Sequence, residues 1–242
     1  CLLVIVSWAP LTDHLTVDLF RSLFGIIEAA ATGAGESGGG GGGGTPSLQE
    51  CGATCVACVT EVVSKRLLPP EQQDVVLGMA DHMLTLLKIV TSGGSIRSGL
   101  DENFLMHMAE FLGAFMEANL GRVLGMGVSS ARAGGEATRE PYPIAELLGL
   151  LASFTFAQSS TQGLQRCLRS WTAFVAQATV EEGEGSAADV EKSAALARDN
   201  AGGLQSVCQA LLEKSLFITN AEGLEDLDDE SGAANSNTNA SG

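Results

Sequence analysis

The 242-residue chain is poor in charged and aromatic side chains. Charged residues make up 17% and aromatic residues 5%, and 13 Lys+Arg stand against 29 Asp+Glu, which gives a formal net charge of −16. Binding to phosphates needs a basic surface, so this charge argues against a partner that is a nucleic acid. It argues equally against adhesion to an anionic membrane.

Long apolar runs are also missing. The apolar run that opens the chain at 1–6 is far shorter than the roughly 20 residues of a membrane span. No basic start with a small-residue cleavage site is present, so the sequence predicts neither a span nor a secretory signal. The 6 cysteines are irregularly spaced, unlike those of a small disulfide-rich secreted domain, and a reducing compartment is expected.

What the chain has is apolar residues in quantity. Hydrophobic residues make up 45% of it, enough to bury a sizeable core. The chain opens on Cys1 rather than on methionine and closes on a stretch rich in Ser, Asn and Gly. From these two features we expect an internal fragment of a longer protein.

The apolar residues recur at steps of three and four, the pattern of amphipathic helices. The longest apolar stripe follows Asp101, whose carboxylate can accept hydrogen bonds from the backbone N–H groups of a first helical turn. Another stripe follows Pro143, and proline is tolerated in a first helical turn. Strand signals are poor, with one Tyr and no Asn-Gly hairpin turn, so we predict an all-α fold. Six stripes predict helices at 14–30, 75–90 (opened by Pro69-Pro70), 104–124, 144–154, 164–178 and 204–212.

The predicted helices come in pairs joined by short connectors. A unit of two helices in about 40–47 residues is the period of HEAT and armadillo solenoids. The repeats share no strict consensus sequence, so the pattern is equally compatible with an irregular helical bundle. The predicted organisation is HEAT-like helices at 1–30, 48–128 and 141–219, a Gly-rich flexible loop at 31–47, a linker at 129–140, and an acidic segment with a disordered low-complexity tail at 220–242.

The Gly-rich loop contains seven consecutive glycines, 38–44. Such a run has high backbone entropy and nothing to bury, so we expect it to be flexible. A phosphate-binding loop would need a Gly-Lys-Ser/Thr ending and a preceding strand, and neither is present.

Cys51, Cys55 and Cys58 form a C-x3-C-x2-C motif, a spacing that can hold an iron–sulfur cluster. A helical run follows the motif directly and no alternating strand–helix pattern comes after it. The three positions fall on one helical face, where free cysteines pack as small hydrophobic residues. We therefore interpret these cysteines as structural, expect no cofactor and no enzymatic activity, and keep zinc or cluster binding as the alternative.

The remaining candidate residues give weaker signals. His14, His82 and His107 lie far apart, each beside an apolar stripe, and are interpreted as partly exposed helix residues; Cys167 and Cys208 are interpreted as core residues. No Lys or Arg follows Lys214, so an acidic run near the end is not neutralised locally. It is either a solvated loop or a patch that attracts a basic partner surface. Its members are Glu222, Glu225, Asp226, Asp228, Asp229 and Glu230.

Several segments, in order along the chain, are similar to stretches of one known protein family. The main likeness is a helix pair, 143–156 followed by 162–171 with its Cys-Leu-x-x-Trp ending. Shorter similarities lie at Ser-Trp-x-Pro-Leu (7–11), the Cys-x-x-Glu-x-x-Ser-Lys helix (58–65), the helix start at 100–102, and the acidic Leu-x-x-Leu-Asp-Asp-Glu segment (224–230).

Together these segments resemble the exportins, the nuclear export receptors of the importin-β superfamily. The resemblance implies a HEAT-repeat superhelix that shuttles through the nuclear pore between nucleus and cytoplasm. It implies Ran–GTP, nucleoporins and a protein cargo as partners, the implied cargo being actin, typically with profilin. A solenoid offers a long concave surface for such partners, and a chain with a charge of −16 suits basic ones. An import receptor and a HEAT scaffold without Ran dependence remain as alternatives.

Overall fold

The structure is a computed structural model that describes residues 16–33, 47–65, 68, 71–92, 95–129, 142–179 and 187–233. Side chains are described within these ranges except at 126–129, 187–189 and 214–233. The chain divides into two compact units, 1–200 and 201–242. Most of the predicted Gly-rich loop and of the predicted linker lies outside the described residues, as do His14 and residues 234–242.

Every regular element in the described part of the chain is an α-helix, which confirms the predicted fold class. Most ends lie within a few residues of the predicted ones, the usual uncertainty of helix ends. Two starts differ: the helix expected from Pro69-Pro70 begins at Gln73, and the helix that contains the stripe at 204–212 begins at Ala187. The helices are α1 (Val17–Thr32), α2 (Leu48–Ser64), α3 (Gln73–Val90), α4 (Glu102–Ser129), α5 (Ile144–Phe156), α6 (Thr161–Ala178) and α7 (Ala187–Ala233).

Polar side chains define the starts of four helices. Asp101 Oδ1 accepts hydrogen bonds from the backbone N–H of Asn103 (2.7 Å) and Phe104 (3.3 Å), which confirms the predicted cap. Ser47 and Glu50 form a capping box at α2, in which each side chain accepts from the other residue's backbone N–H. The side chains that cap α1 and α6 belong to Thr16 and Ser160. These caps satisfy backbone donors that a helix leaves free at its start.

Within the first unit, six helices form two layers. Helices α1, α3 and α5 pack side by side in layer A, and α2, α4 and α6 do so in layer B. Across the layers α1 packs on α2, α3 on α4 and α5 on α6, and no contact between described residues joins the first pair to the third. Such nearest-neighbour packing is typical of solenoids. The arrangement of the unit is thus consistent with a HEAT-repeat solenoid.

Residue pairings fix the direction of each helix. In layer B, Gln49 contacts Gly99 and Asp101 near the start of α4, whereas Leu68, after the end of α2, accepts a hydrogen bond from Arg122 near the end of α4. The two helices therefore run parallel. In layer A, Ala80 pairs with Tyr142 and Lys88 with Glu146, so α3 and α5 also run parallel.

The two helices of the first pair, α1 and α2, run antiparallel. A Cβ on Gly52, near the start of α2, would meet Ala30, near the end of α1, and also Phe104 of α4. Only glycine lets the three helices approach this closely. The core between the layers is rich in aromatic and methionine side chains; its largest fully buried members include Phe24, Phe104, Phe111, Phe115, Phe154, Phe174, Met79, Met83 and Met108.

The second unit, 201–242, is described as a helical segment to Ala233. Val207 is buried, Leu204 and Leu211 are half-buried, and Cys208 and Leu212 are exposed. The interpretation of Cys208 as a core residue is therefore wrong. A helical apolar stripe predicts which side chains could be buried together, but whether they are buried depends on neighbours that the pattern does not contain.

Candidate functional site

The three cysteines of the C-x3-C-x2-C motif all lie on α2. Cys58 is buried, and Cys51 and Cys55 are half-buried. Burial raises the pKa of the Cys55 thiol, and the neighbouring Cys58 and Cys51 raise it further. Burial likewise raises the pKa of Cys58. A raised pKa keeps a thiol protonated at neutral pH, and the thiolate is the form that attacks electrophiles and binds metals.

The helix also keeps these thiols from pairing. Residues three and four apart on a helix have Cβ atoms about 5–6 Å apart, whereas a disulfide needs about 3.5–4.5 Å. All three are free thiols. No cluster of three or more His, Cys, Asp or Glu side chains with metal-binding geometry occurs in the described ranges. Their interpretation as structural cysteines remains a prediction.

The acidic run, Glu222 to Glu230, lies on α7 in the second unit. Its backbone is helical as far as Ala233, where the sequence had suggested a loop. The carboxylates themselves lie outside the described side chains, so their role as a partner-binding patch remains a proposal.

His82 makes contacts that the sequence pattern does not reveal. Its ring stacks on Phe24 of α1, with ring centroids 4.7 Å apart and planes 4° apart, and its Nδ1 lies 2.8 Å from Glu28 Oε1. Phe24 also packs edge-on against Phe111 of α4. His82 thus joins the first helix pair to the second. Since 54 residues separate it from Glu28, no local motif could have indicated this contact.

Layer B is joined by ion pairs between α4 and α6. Arg169 donates from Nε (2.7 Å) and Nη2 (2.5 Å) to Glu117 Oε2, and Arg166 pairs with Glu110. The aliphatic part of Arg169 lies against Gly113, where a Cβ would come within 2.9 Å of Cδ. The carboxylates of Glu110 and Glu117 therefore form ion pairs between helices of layer B.

The side of α6 away from these ion pairs carries an exposed apolar stripe. Leu168 is 38% exposed and Val175 is 42% exposed. Their spacing of seven residues places them on one helical face. None of the described helices is long and apolar enough to cross a membrane.

Comparison with known proteins gives one consistent similarity. The chain is 26% identical to Exportin-6 of Mus musculus and to Exportin-6 of Homo sapiens, in each case over 247 residues and 95% of this chain. It is 25% identical to Exportin-6 of Dictyostelium discoideum over 237 residues and 98% of this chain. No protein-family model matches, and no solved structure matches.

The aligned region covers nearly all of this chain but only a small part of each relative. It covers 20% of the mouse and human proteins and 19% of the Dictyostelium protein. The chain therefore spans about a fifth of the length of the curated relatives it matches. The chain is thus similar, at low identity, to one stretch of Exportin-6.

Proposed function

We propose that this chain is part of a nuclear export receptor that carries protein cargo out of the nucleus. The observation that carries the proposal is the similarity to Exportin-6, which extends over 95% of the chain in proteins from Mus musculus and Homo sapiens. The two-layer stack supports it, because helix-pair stacks bind partners over extended surfaces and need no catalytic pocket. The relatives are transport receptors by name, so we expect no enzymatic activity.

We further propose that export depends on Ran–GTP, that the cargo is actin, with profilin, and that nucleoporins bind during passage. In this mechanism cargo and Ran–GTP bind together in the nucleus, and GTP hydrolysis in the cytoplasm releases both. The protein would then shuttle between nucleus and cytoplasm. The negative charge of the chain supports attraction of basic partner surfaces, mainly by raising association rates.

The acidic run is our candidate contact for a basic surface of Ran or of cargo. Six carboxylates fall within the nine residues from Glu222 to Glu230, with no Lys or Arg among them. Attraction between exposed charges is screened by salt, with a Debye length of about 10 Å at 0.1 M. Binding through this run should therefore weaken steeply as salt rises.

The test is a pull-down with the full-length protein that contains this chain. The immobilised receptor is incubated with actin–profilin and with Ran loaded with either a non-hydrolysable GTP analogue or GDP. Retention of actin only with GTP-loaded Ran is expected. A second receptor with Asp226, Asp228 and Asp229 changed to Asn tests the acidic run, and loss of retention at low salt is expected if the run is a contact.

Each other outcome contradicts a stated part of the proposal. Displacement of cargo by GTP-loaded Ran would identify an import receptor. Absence of Ran binding in both nucleotide states would favour a HEAT scaffold. Ran-dependent retention of a cargo other than actin would keep the export function and overturn the cargo. Unchanged retention by the Asn variant would remove the acidic run as a contact.

A further inference from the structure

Helix α2 carries apolar side chains on the side that points away from the second helix pair. Gln49 contacts the residues at the start of α4 and so marks the side of α2 that faces the second pair. At about 3.6 residues per turn, the step from 49 to 58 is about two and a half turns. Cys58 therefore points away from α4. Cys55 and Val62, three residues before it and four after it, lie on the same side of the helix.

Helix α1 presents apolar side chains in the same direction. Glu28 contacts His82 of α3, so it marks the side of α1 that faces the second pair. Leu19 lies about two and a half turns before Glu28 and points the opposite way, as does Leu23 one turn after it. Because α1 and α2 run antiparallel, the start of α1 lies beside the end of α2. Together these side chains form an outer groove of the first pair: Leu19, Leu23, Cys55, Cys58 and Val62.

The outer groove is uncharged and largely removed from solvent. Cys58 and Val62 are each 3% exposed, and Leu19, Leu23 and Cys55 are half-buried. Among the described helices α2 contacts only α1 and α4, and α4 lies on the other side of α2. The side chains of the groove carry no charge and, apart from two weakly polar thiols, no hydrogen-bonding group. Its occupant should therefore be an apolar, uncharged segment.

A segment with these properties directly precedes α1. Residues 1–11 contain no charged side chain, and all of them except Ser7 and Pro10 are apolar. This apolar run would span about 16 Å as a helix and at most about 36 Å when extended. The groove from Cys55 to Val62 is about 11 Å long, so the run can cover it in either conformation.

The covalent connection also favours this run over other occupants. The run is tethered to α1, the helix that forms one wall of the groove, and a short tether gives an effective concentration of the order of millimolar. A second copy of the chain would have to approach against a net charge of −16 on each molecule, which opposes association.

We propose that residues 1–11 dock in the outer groove of the first helix pair and shield its thiols. A stack of helix pairs exposes apolar side chains at its ends unless a further segment covers them, and the docked run supplies this cover for the first pair. When the run leaves the groove, Cys55 and Cys58 become accessible to reagents in solution. The reactivity of these two thiols therefore follows the docking equilibrium.

The position of the run is tested by photo-cross-linking in the full-length protein that contains this chain. A benzophenone amino acid replaces Ile5, and tandem mass spectrometry identifies the captured residues. Capture within 55–62 of α2 is expected. The same amino acid in place of Thr85, which is exposed on α3, is the control and should not reach that segment.

Mixing ordinary and nitrogen-15-labelled protein before irradiation identifies the occupant. A run that docks on its own chain gives cross-linked peptides of a single isotope composition. Peptides of mixed composition would show that the groove binds a second copy. Capture of the run by a different segment of the longer protein would show that another part of the chain or a partner covers the groove. Either result would overturn the proposal.

The shielding is tested by thiol alkylation of a variant in which the run is less apolar. Leu3→Ser combined with Ile5→Ser removes two apolar side chains, each worth roughly a tenfold change in the docking equilibrium. Alkylation of Cys55 and Cys58 by iodoacetamide, read by peptide mass spectrometry, should therefore become at least about tenfold faster. The matched control is Leu212→Ser, at a position that is already 62% exposed, and it should leave both rates unchanged.

Cys167 of α6 distinguishes undocking from general loosening. Its side chain is fully buried and lies on the third helix pair, so undocking of the run should leave its slow alkylation unchanged. Unchanged rates at Cys55 and Cys58 in the double variant would overturn the proposal. Equal acceleration at Cys167 would also overturn it, because the run would then stabilise the whole unit and not cover one groove.

Discussion

The indole N–H of Trp171 donates to the hydroxyl oxygen of Thr155 at 3.0 Å, within the core of the third helix pair. Thr155 is fully buried and its hydroxyl in turn donates to Leu151 O at 2.7 Å. Thr155→Val keeps the shape and leaves the indole N–H without a partner, so it should cost about 1–3 kcal/mol of unfolding free energy. Urea denaturation of the wild type and variant measures the difference.

The matched control for this change is Thr172→Val on α6, whose hydroxyl is exposed to solvent. It should alter the free energy of unfolding by no more than about 0.5 kcal/mol, as is usual for a surface substitution. Equal stability losses in the two variants would contradict the importance of the buried contact between Trp171 and Thr155.

Gly52 and Gly78 should respond in opposite directions to alanine. A Cβ at Gly52 would collide with Ala30 and come within 3.2 Å of Phe104 Cε2. Gly52→Ala should therefore destabilise the chain by about 1–3 kcal/mol. A Cβ at Gly78 would meet nothing within 4 Å. Gly78→Ala in mid-helix should therefore stabilise the chain by about 0.4–1 kcal/mol.

Thermal or urea unfolding of both glycine variants provides the measurement. A neutral Gly52→Ala would disprove the close approach of α1, α2 and α4. A loss of stability in Gly78→Ala would show that the space around this glycine is not open.

Tyr142 should make the chain less stable at high pH. Burial raises the pKa of its phenol, and the nearby carboxylates of Asp81 and Glu146 raise it further. The unfolded chain ionises this group near a pH of about 10, whereas the folded chain still holds the proton. The stabilisation is therefore complete below about pH 10 and is lost as the pH rises toward the folded-state pKa.

This pH dependence can be measured directly because Tyr142 is the one tyrosine in the sequence. Tyrosinate absorbance, followed against pH in native buffer and in urea, should show a higher midpoint in the folded chain. Tyr142→Phe should remove part of the stability loss at high pH. Identical midpoints in the two conditions would contradict the burial of the phenol.

The cysteines of α2 should react slowly with alkylating reagents. Burial and the two neighbouring thiols keep Cys55 protonated, and Cys58 is buried as well. We expect iodoacetamide, with labelling read by peptide mass spectrometry, to modify exposed Cys208 before Cys55 and Cys58. In urea the three rates should converge, since the protection comes from the fold.

A chelator distinguishes structural burial from metal binding at Cys51, Cys55 and Cys58. If a metal protected these thiols, a chelator would accelerate their labelling in the folded chain, and elemental analysis would find zinc or iron. Unchanged labelling rates with the chelator are expected. Cys55→Ala should then alter stability modestly and leave the metal content the same.

The sequence predicted the helices well because helix formation depends on local information. Apolar residues at steps of three and four define a face, and a residue such as Asp101 or Ser160 satisfies free backbone donors wherever the chain begins a turn. The same periodicity left a solenoid and an irregular bundle equally open. That choice depends on which helix lies beside which, and contacts such as Gln49 with Asp101 join residues 52 positions apart.

Some candidate functional residues could be identified from local sequence patterns, and others only from the tertiary structure. The sequence placed the three cysteines on one helical face and indicated the acidic run, because both patterns are local. It predicted burial for Cys208, which is exposed, and gave no indication of the contacts of His82, Tyr142 or Arg169. Local periodicity and capping chemistry thus determined the helices. The arrangement of the helices in two layers and the close contact at Gly52 were decided by tertiary packing, because burial and ion pairing require surfaces brought together from distant parts of the chain.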